Sequence, residues 1–307
     1  MRYWKWLFRL VLVVILFASA IEFRVIDLDQ LMQIFRSPAL FLSQLVLFLI
    51  IHLVLTYRWK KILEELGIHQ DYFTTLRDQF LSNIVALFFG NAATKEVVKS
   101  AALCRRNPQK KTIAVVSVLL DRLLGLASFL VVGFLAVLPF WQSWRTIKYL
   151  SLVPYLMSLG VLVIPIIFWG SSLWGSLLSR SKFRNLKGLN QIASKLIGKK
   201  MLLWLALGLV SPILSTIQVT LLSQSLGNHL GLLLIVIPLI TITQNLSFLP
   251  LGLGINQWVA FKVFEWAGAG EGNNIATAIT ALQLYTIIFT LLSGAVLGFK
   301  GKKKQPN

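Results

Sequence analysis

The chain predicts an all-α fold, a polytopic membrane helical bundle, and three observations carry that prediction. Of its 307 residues 56% are hydrophobic and only 13% are charged, against about 25% charged in a soluble domain. Apolar stretches recur along the chain at lengths near the roughly 20 residues that a bilayer-crossing helix needs. The 30 Lys and Arg outnumber the 11 Asp and Glu, for a net charge of +19. These cations fall in short segments between the apolar stretches, as the positive-inside bias requires. No basic domain stands apart from the spans, so no nucleic-acid partner is expected. One cysteine, Cys104, and three scattered histidines rule out an intrachain disulfide and a cysteine-based metal site. Neither a metal nor a cofactor is expected.

The elements follow in order. Arg2, Lys5 and Arg9 precede an apolar stretch with Ala18-Ser19-Ala20, which looks like a cleavable signal. The apolar character runs on through Phe23, so residues 7–23 read as a retained first crossing. Further full crossings are expected at residues 40–57, 112–137, 149–169, 201–226 and 278–299, making about six. Two apolar regions are interrupted. Residues 72–103 break at Gly90-Asn91, and residues 230–266 break at Pro250-Leu251-Gly252-Leu253-Gly254.

Orientation comes from Lys and Arg. Arg58-Trp59-Lys60-Lys61, residues 95–111 (six basic, one acidic), the loop 170–200 (seven basic, no acid) and the tail 300–307 (four lysines) are placed inside. The segment after the first span and the turn 227–231 are poor in cations and are placed outside. This closes only if each interrupted region enters and leaves on one side. The expectation is therefore two opposed re-entrant hairpins, the first dipping from the cytoplasmic face and the second from the outer face. Irregular backbone at membrane depth is tolerated only where protein or a wet cavity surrounds it. Broken segments in corresponding halves point to an inverted repeat with a central site, although no internal repeat is visible in the residues. Two ordinary spans per interrupted region would preserve the same orientation. The chain reads as one transmembrane domain, 1–307, in the inner or plasma membrane, with both termini cytoplasmic. Within the loop, Leu186, Leu189, Ile192, Ala193, Leu196 and Ile197 have the spacing of an amphipathic surface helix.

Polar residues at depth are the candidate site. Asp121 and Arg122 lie inside the 26-residue apolar run 112–137, where a charge costs about 2.5–3.5 kcal/mol on insertion scales and usually has a partner or a wet cavity. Being adjacent, they point about 100° apart on a helix and need separate partners. Glu96 suits Arg122, and Lys95 or Lys99 suits Asp121. In the first hairpin Gly90 and Asn91 suit a tip. Lys95 and Lys99, four apart, share a helix face behind it, and Glu96 can pair with Lys99. Such a face can cradle phosphate, or its lysines can reach the interface as a helix end. In the second hairpin Pro250, Gly252 and Gly254 form the tip. Asn256 and Gln257 open a helix whose amides can contact a headgroup or bond between helices. Lys262 and Glu265 read as a plain helix pair. No Ser/His/Asp set, metal-ligand set or phosphate loop is present, so an enzyme is not expected.

Three places resemble the flippase-like transmembrane region of lysylphosphatidylglycerol synthase, a family that also exists as stand-alone membrane proteins. The run Val116-Ser117-Val118-Leu119-Leu120-Asp121-Arg122-Leu123-Leu124-Gly125-Leu126 is similar to its acid-Arg-Leu-Leu-Gly core. Residues 90–103 resemble a tip followed by Gly-Asp-Val-Val-Arg, with Glu96 for the Asp and Lys99 for the Arg. Residues 249–260 resemble a Pro, Gly-x-Gly, Arg-Glu stretch. Arg58-Trp59 also fits. The chain departs from the family pattern at Thr94-Lys95, where small residues are usual, and at Asn256-Gln257, which replace the Arg-Glu. The resemblance implies a lipid translocase that moves an anionic, aminoacylated or polyprenyl-phosphate-linked lipid between leaflets, with no synthase chemistry. Lys95, Glu96, Lys99, Asp121 and Arg122 would bind phosphate or gate the path, and Asn256 and Gln257 would meet the headgroup. A membrane-embedded lipid-modifying enzyme and a non-catalytic accessory subunit are the rival readings. Membrane lipids are the expected partners, with a homo-oligomer or a partner enzyme left open.

Overall fold

A computed structural model describes residues 11, 14, 15, 18–89, 92–140, 151–153, 155, 157–159, 161, 199–223, 230–246 and 250–299. The expected crossing at 149–169, the loop 170–200 with its amphipathic half, the tail 300–307 and the tip Gly90-Asn91 lie wholly or largely outside these residues, as do eight of the 17 residues of the crossing at 7–23.

The described residues form helices. These are α1 (Leu28–Arg36), α2 (Pro38–Glu65), α3 (Tyr72–Phe89), α4 (Ala92–Arg106), α5 (Lys111–Val137), α6 (Lys199–Leu222), α7 (Leu230–Leu246), α8 (Ile255–Trp266) and α9 (Gly272–Phe299). Four helical stretches are long and apolar enough to cross a membrane: Pro38–Glu65, Pro108–Val137, Lys200–Leu222 and Gly272–Val296. They coincide with four of the expected crossings, and the chain is an all-α bundle. Helix α2 is longer than its apolar stretch because local chemistry extends it. Ser37 caps α2, its hydroxyl accepting from the Leu40 amide at 3.4 Å, with Pro38 in the first turn. The helix α1 was not anticipated. Asp27 caps it by accepting from the Asp29 and Gln30 amides at 2.9 and 3.0 Å. Its buried Leu31 and Ile34 face α9, where the Tyr285 hydroxyl donates to the Ile34 carbonyl at 3.1 Å.

Both interrupted regions are pairs of short helices. At about 1.5 Å per residue, α3 and α4 (18 and 15 residues) span roughly 27 and 22 Å. Helices α7 and α8 (17 and 12 residues) span roughly 25 and 18 Å by the same rise. A hydrocarbon core is about 30 Å thick. The arms of the first pair are locked together at the end away from the break. There Arg106 grips Asp78 with both guanidinium nitrogens, Nη2 to Oδ1 at 2.7 Å and Nη1 on Oδ2. The Gln70 amide adds a bond to Asp78 Oδ2 at 3.0 Å. The two pairs touch each other: α4 packs on α7, and the turn Pro250–Gly252 packs on α3. Packing elsewhere depends on small residues that let backbones approach. A Cβ on Gly294 would lie 1.9 Å from Ile84 Cδ1, joining α9 to α3, and one on Gly133 would lie 3.1 Å from Pro238 Cγ, joining α5 to α7.

Candidate functional site

Asp121 lies 8% exposed near the middle of α5. Its partner is Arg58, in the last third of α2 and 3% exposed. Arg58 Nε and Nη2 donate to Asp121 Oδ1 at 3.0 and 2.7 Å, and Nη2 also donates to the Asp121 carbonyl at 2.9 Å. Lys99 of α4, 2% exposed, places its ammonium 3.5 Å from Asp121 Oδ2 and 4.4 Å from the centre of the Trp59 ring. Three helices are thus tied by one carboxylate between two cations, with a cation–π contact on the second cation. The missing side chain at Gly208 lets α6 come close to this cluster. A Cβ on Gly208 would lie 2.1 Å from Ser128 Oγ and 2.7 Å from Arg58 Nη1. That Nη1 is buried without a hydrogen-bond partner, as is Glu96 Oε2.

Of the two expected partners for Asp121, the structure selects Lys99 and adds Arg58. Lys99 therefore reaches across to α5 and not along its own helix to Glu96. Arg122 is half-buried on α5, one residue round from the cluster. Lys262 pairs with Glu265 at 2.6 Å, as its spacing suggested.

The second turn is built as its residues demand. Leu251 has φ +53, Gly252 φ +68 and Gly254 φ +85, so three residues within four positions take left-handed backbone. Side chains hold it. The Gln257 carbonyl oxygen accepts from the Gly254 amide at 2.8 Å, while its amide donates to Thr280 Oγ1 at 3.2 Å and Gln283 Oε1 at 2.7 Å. The Leu251 carbonyl accepts from Asn256 Nδ2 and from Gln283 Nε2, each at 2.9 Å. Thr243 Oγ1 lies 3.0 Å from Asn256 Oδ1. Gly252 cannot carry a side chain here, because its Cβ would fall 2.7 Å from Asn256 Oδ1.

Between the two helix pairs lies a cavity of about 290 Å³. Lys95 borders it from the first turn of α4, and Leu251 and Asn256 border it from the turn and the start of α8. Neutral amides Gln79, Gln218, Gln244 and Gln283 come from four other helices. His52 is a further border residue. Its Nδ1–H donates to the Phe48 carbonyl at 2.9 Å, leaving Nε2 to accept from Asn83 Nδ2 at 3.1 Å, which is the neutral tautomer. Lys95 and Asn256 are thus brought to one space. Gln257 instead spends its amide inside the turn, and Lys99 and Asp121 form the neighbouring ion cluster. The glutamines and Arg58 were not singled out as site residues. Their signal was present as lone polar residues within apolar spans, uncharged in the case of the glutamines and shared with a basic run in the case of Arg58.

Among the described residues no group of three or more His, Cys, Asp or Glu is placed to hold a metal ion. Comparison with known proteins finds no match among curated proteins and none among solved structures. The family described as lysylphosphatidylglycerol synthase TM region matches residues 6–294. Nearly the whole chain, from the first apolar stretch into α9, is covered, and the acid of the apolar run and both broken helix pairs fall within the match. The protein is an integral membrane protein that belongs to the lysylphosphatidylglycerol synthase transmembrane-region family.

Proposed function

We propose that this protein is a lipid translocase of the inner or plasma membrane and not an enzyme, and that the cavity between the two broken helix pairs takes the lipid headgroup. One observation carries the reading: the start of α4 in the first pair and the turn of the second pair border one space of about 290 Å³, lined by polar and apolar side chains together. Broken helices that adjoin a cavity carrying polar groups are one way membrane proteins build a site at depth. In this reading each pair is a re-entrant hairpin, the first opening inward and the second outward, with both termini cytoplasmic. Arg58, Lys99 and Asp121 position α4 against α2 and α5, and so set where Lys95 stands. Gln257 positions the second turn, and so sets where Asn256 stands. Arg122 and Glu96 border the path beside the cluster.

The test is reconstitution into phosphatidylglycerol-containing vesicles with a fluorescent phosphatidylglycerol analogue, its outer-leaflet signal quenched by dithionite. Protein-dependent loss of the protected signal, with no new lipid species by mass spectrometry, is the expected result. A new lipid species would identify an enzyme. Neither effect, with a second protein retained through detergent purification, would identify an accessory subunit.

A further inference from the structure

Resting on that reading, we infer from the cavity's charge that its ligand is a phosphate monoanion whose remaining headgroup is uncharged and hydroxylated, and that a headgroup bearing an ammonium is rejected. Lys95 is the only charged side chain among the described residues that line the space. No carboxylate among the described residues lies within ion-pair distance of its ammonium. The charged groups that act on Lys95 are Lys99, Arg58, Asp121 and Glu96. Together with Lys95 they are three cations and two carboxylates, an excess of one positive charge beside the cavity. An unpaired ammonium at membrane depth is costly, and a bound anion relieves it.

Backbone polarity has the same sign. Lys95 lies in the first turn of α4, and Asn256 lies in the first turn of α8. Two helix starts, one from each pair, therefore adjoin one space with the positive ends of their dipoles. The other polar groups facing the cavity are neutral: glutamine and asparagine amides, Ser211, Ser215 and Thr286, with His52 in its neutral form. Such groups donate to phosphate oxygens and exchange hydrogen bonds with hydroxyls. They offer a second cation no counter-charge. An aminoacyl headgroup would bring its ammonium beside Lys95 with no carboxylate on the described wall to receive it.

The experiment is equilibrium lipid retention by the full chain in detergent, read by native mass spectrometry, with no transport step. Phosphatidylglycerol, phosphatidylcholine and lysyl-phosphatidylglycerol are offered together. The expected result is retention of phosphatidylglycerol over the other two by about tenfold or more, the scale of one charge-assisted contact. Lys95→Gln is expected to erase that preference, and Lys95→Glu to shift it toward lysyl-phosphatidylglycerol. Equal or stronger retention of lysyl-phosphatidylglycerol by the unaltered protein overturns the inference, and that ranking decides even if a variant fails to fold. Glycerophosphoglycerol and inorganic phosphate are added as soluble competitors. Displacement of the lipid by them supports a phosphate site filled from the aqueous side, and retention against them supports a lipid-borne phosphate. Selective retention without leaflet redistribution would leave this inference standing while the translocase reading fell. Redistribution of lysyl-phosphatidylglycerol as fast as phosphatidylglycerol would do the reverse.

Discussion

Replacing Asp121 with Asn keeps the shape of the side chain and removes its charge. In the native protein that carboxylate takes two hydrogen bonds from Arg58, at 3.0 and 2.7 Å, and faces Lys99 at 3.5 Å. Arg58 and Lys99 are 3% and 2% exposed, so neither can turn to water when the carboxylate is lost. Removing one partner of a buried ion pair costs about 3–5 kcal/mol, because the remaining charge is left uncompensated. Two cations are stranded here. The expected loss for Asp121→Asn is at least in that range, roughly two to four orders of magnitude in the folded-to-unfolded ratio. The assay is reversible unfolding in mixed micelles, scored by steric trapping or by Trp fluorescence. The double variant Arg58→Met with Asp121→Leu removes both charges of the tightest pair. It should lose less than the sum of the single changes, with a coupling of about 0.5–3 kcal/mol. A loss under about 1 kcal/mol for Asp121→Asn, or strict additivity in the cycle, would show that the cluster does not compensate buried charge and would refute the reasoning.

Two further predictions concern topology and pH. With Cys104 replaced by Ser, a cysteine at Asn273, exposed at the start of α9, should react with a membrane-impermeant thiol reagent from the outer side. A cysteine at His69, exposed between α2 and α3, should react only from the cytoplasmic side, and the opposite pattern would exclude the two hairpins as oriented. Asp71 lies in that same connection and accepts from the Thr74 hydroxyl, from the Thr74 amide at 2.9 Å and from the Phe73 amide at 2.9 Å. The Thr74 hydrogen bond holds its carboxyl below the usual value of 3.8. A depressed value means that its stabilisation is fully present above that usual value and is lost as pH falls through the depressed one. Asp71→Ala should cost about 1 kcal/mol near neutral pH, and the difference from the unaltered protein should shrink below about pH 4. A constant difference between pH 7 and 3 would assign the cost to something other than the ionised cap.

The bundle was legible because its signals are local. Apolar length marks a crossing, and four such helices stand where length placed them. The Pro/Gly run at 250–254 marked a turn, and the helix resuming at Ile255 follows from it. Pairing was legible only in part. Asp121 demanded a cation, and both lysines of α4 were candidates, but Arg58 is 63 residues away in sequence. It sits in a basic run that reads as a cytoplasmic flank, and nothing local says that its guanidinium turns inward. The cavity was harder still. Gln79, Gln218 and Gln283 come from three different helices, and a neutral amide in an apolar stretch barely changes its hydropathy. Only the packing of α3, α6 and α9 shows that they face one space. Helix α1 escaped because its nine residues mix apolar and polar groups and fall below the length at which periodicity is persuasive.

The grip of Arg106 on Asp78 has a mechanical consequence. Two helices riveted at the end away from their break cannot spread apart there, so in the proposed translocase any opening must swing the pair as one stiff lever. The bending then falls to the connections at 66–71 and 107–110, which carry Gly67 in left-handed backbone and Pro108. Lys95, at the far end of that lever, would travel farthest for the smallest turn at the pivot.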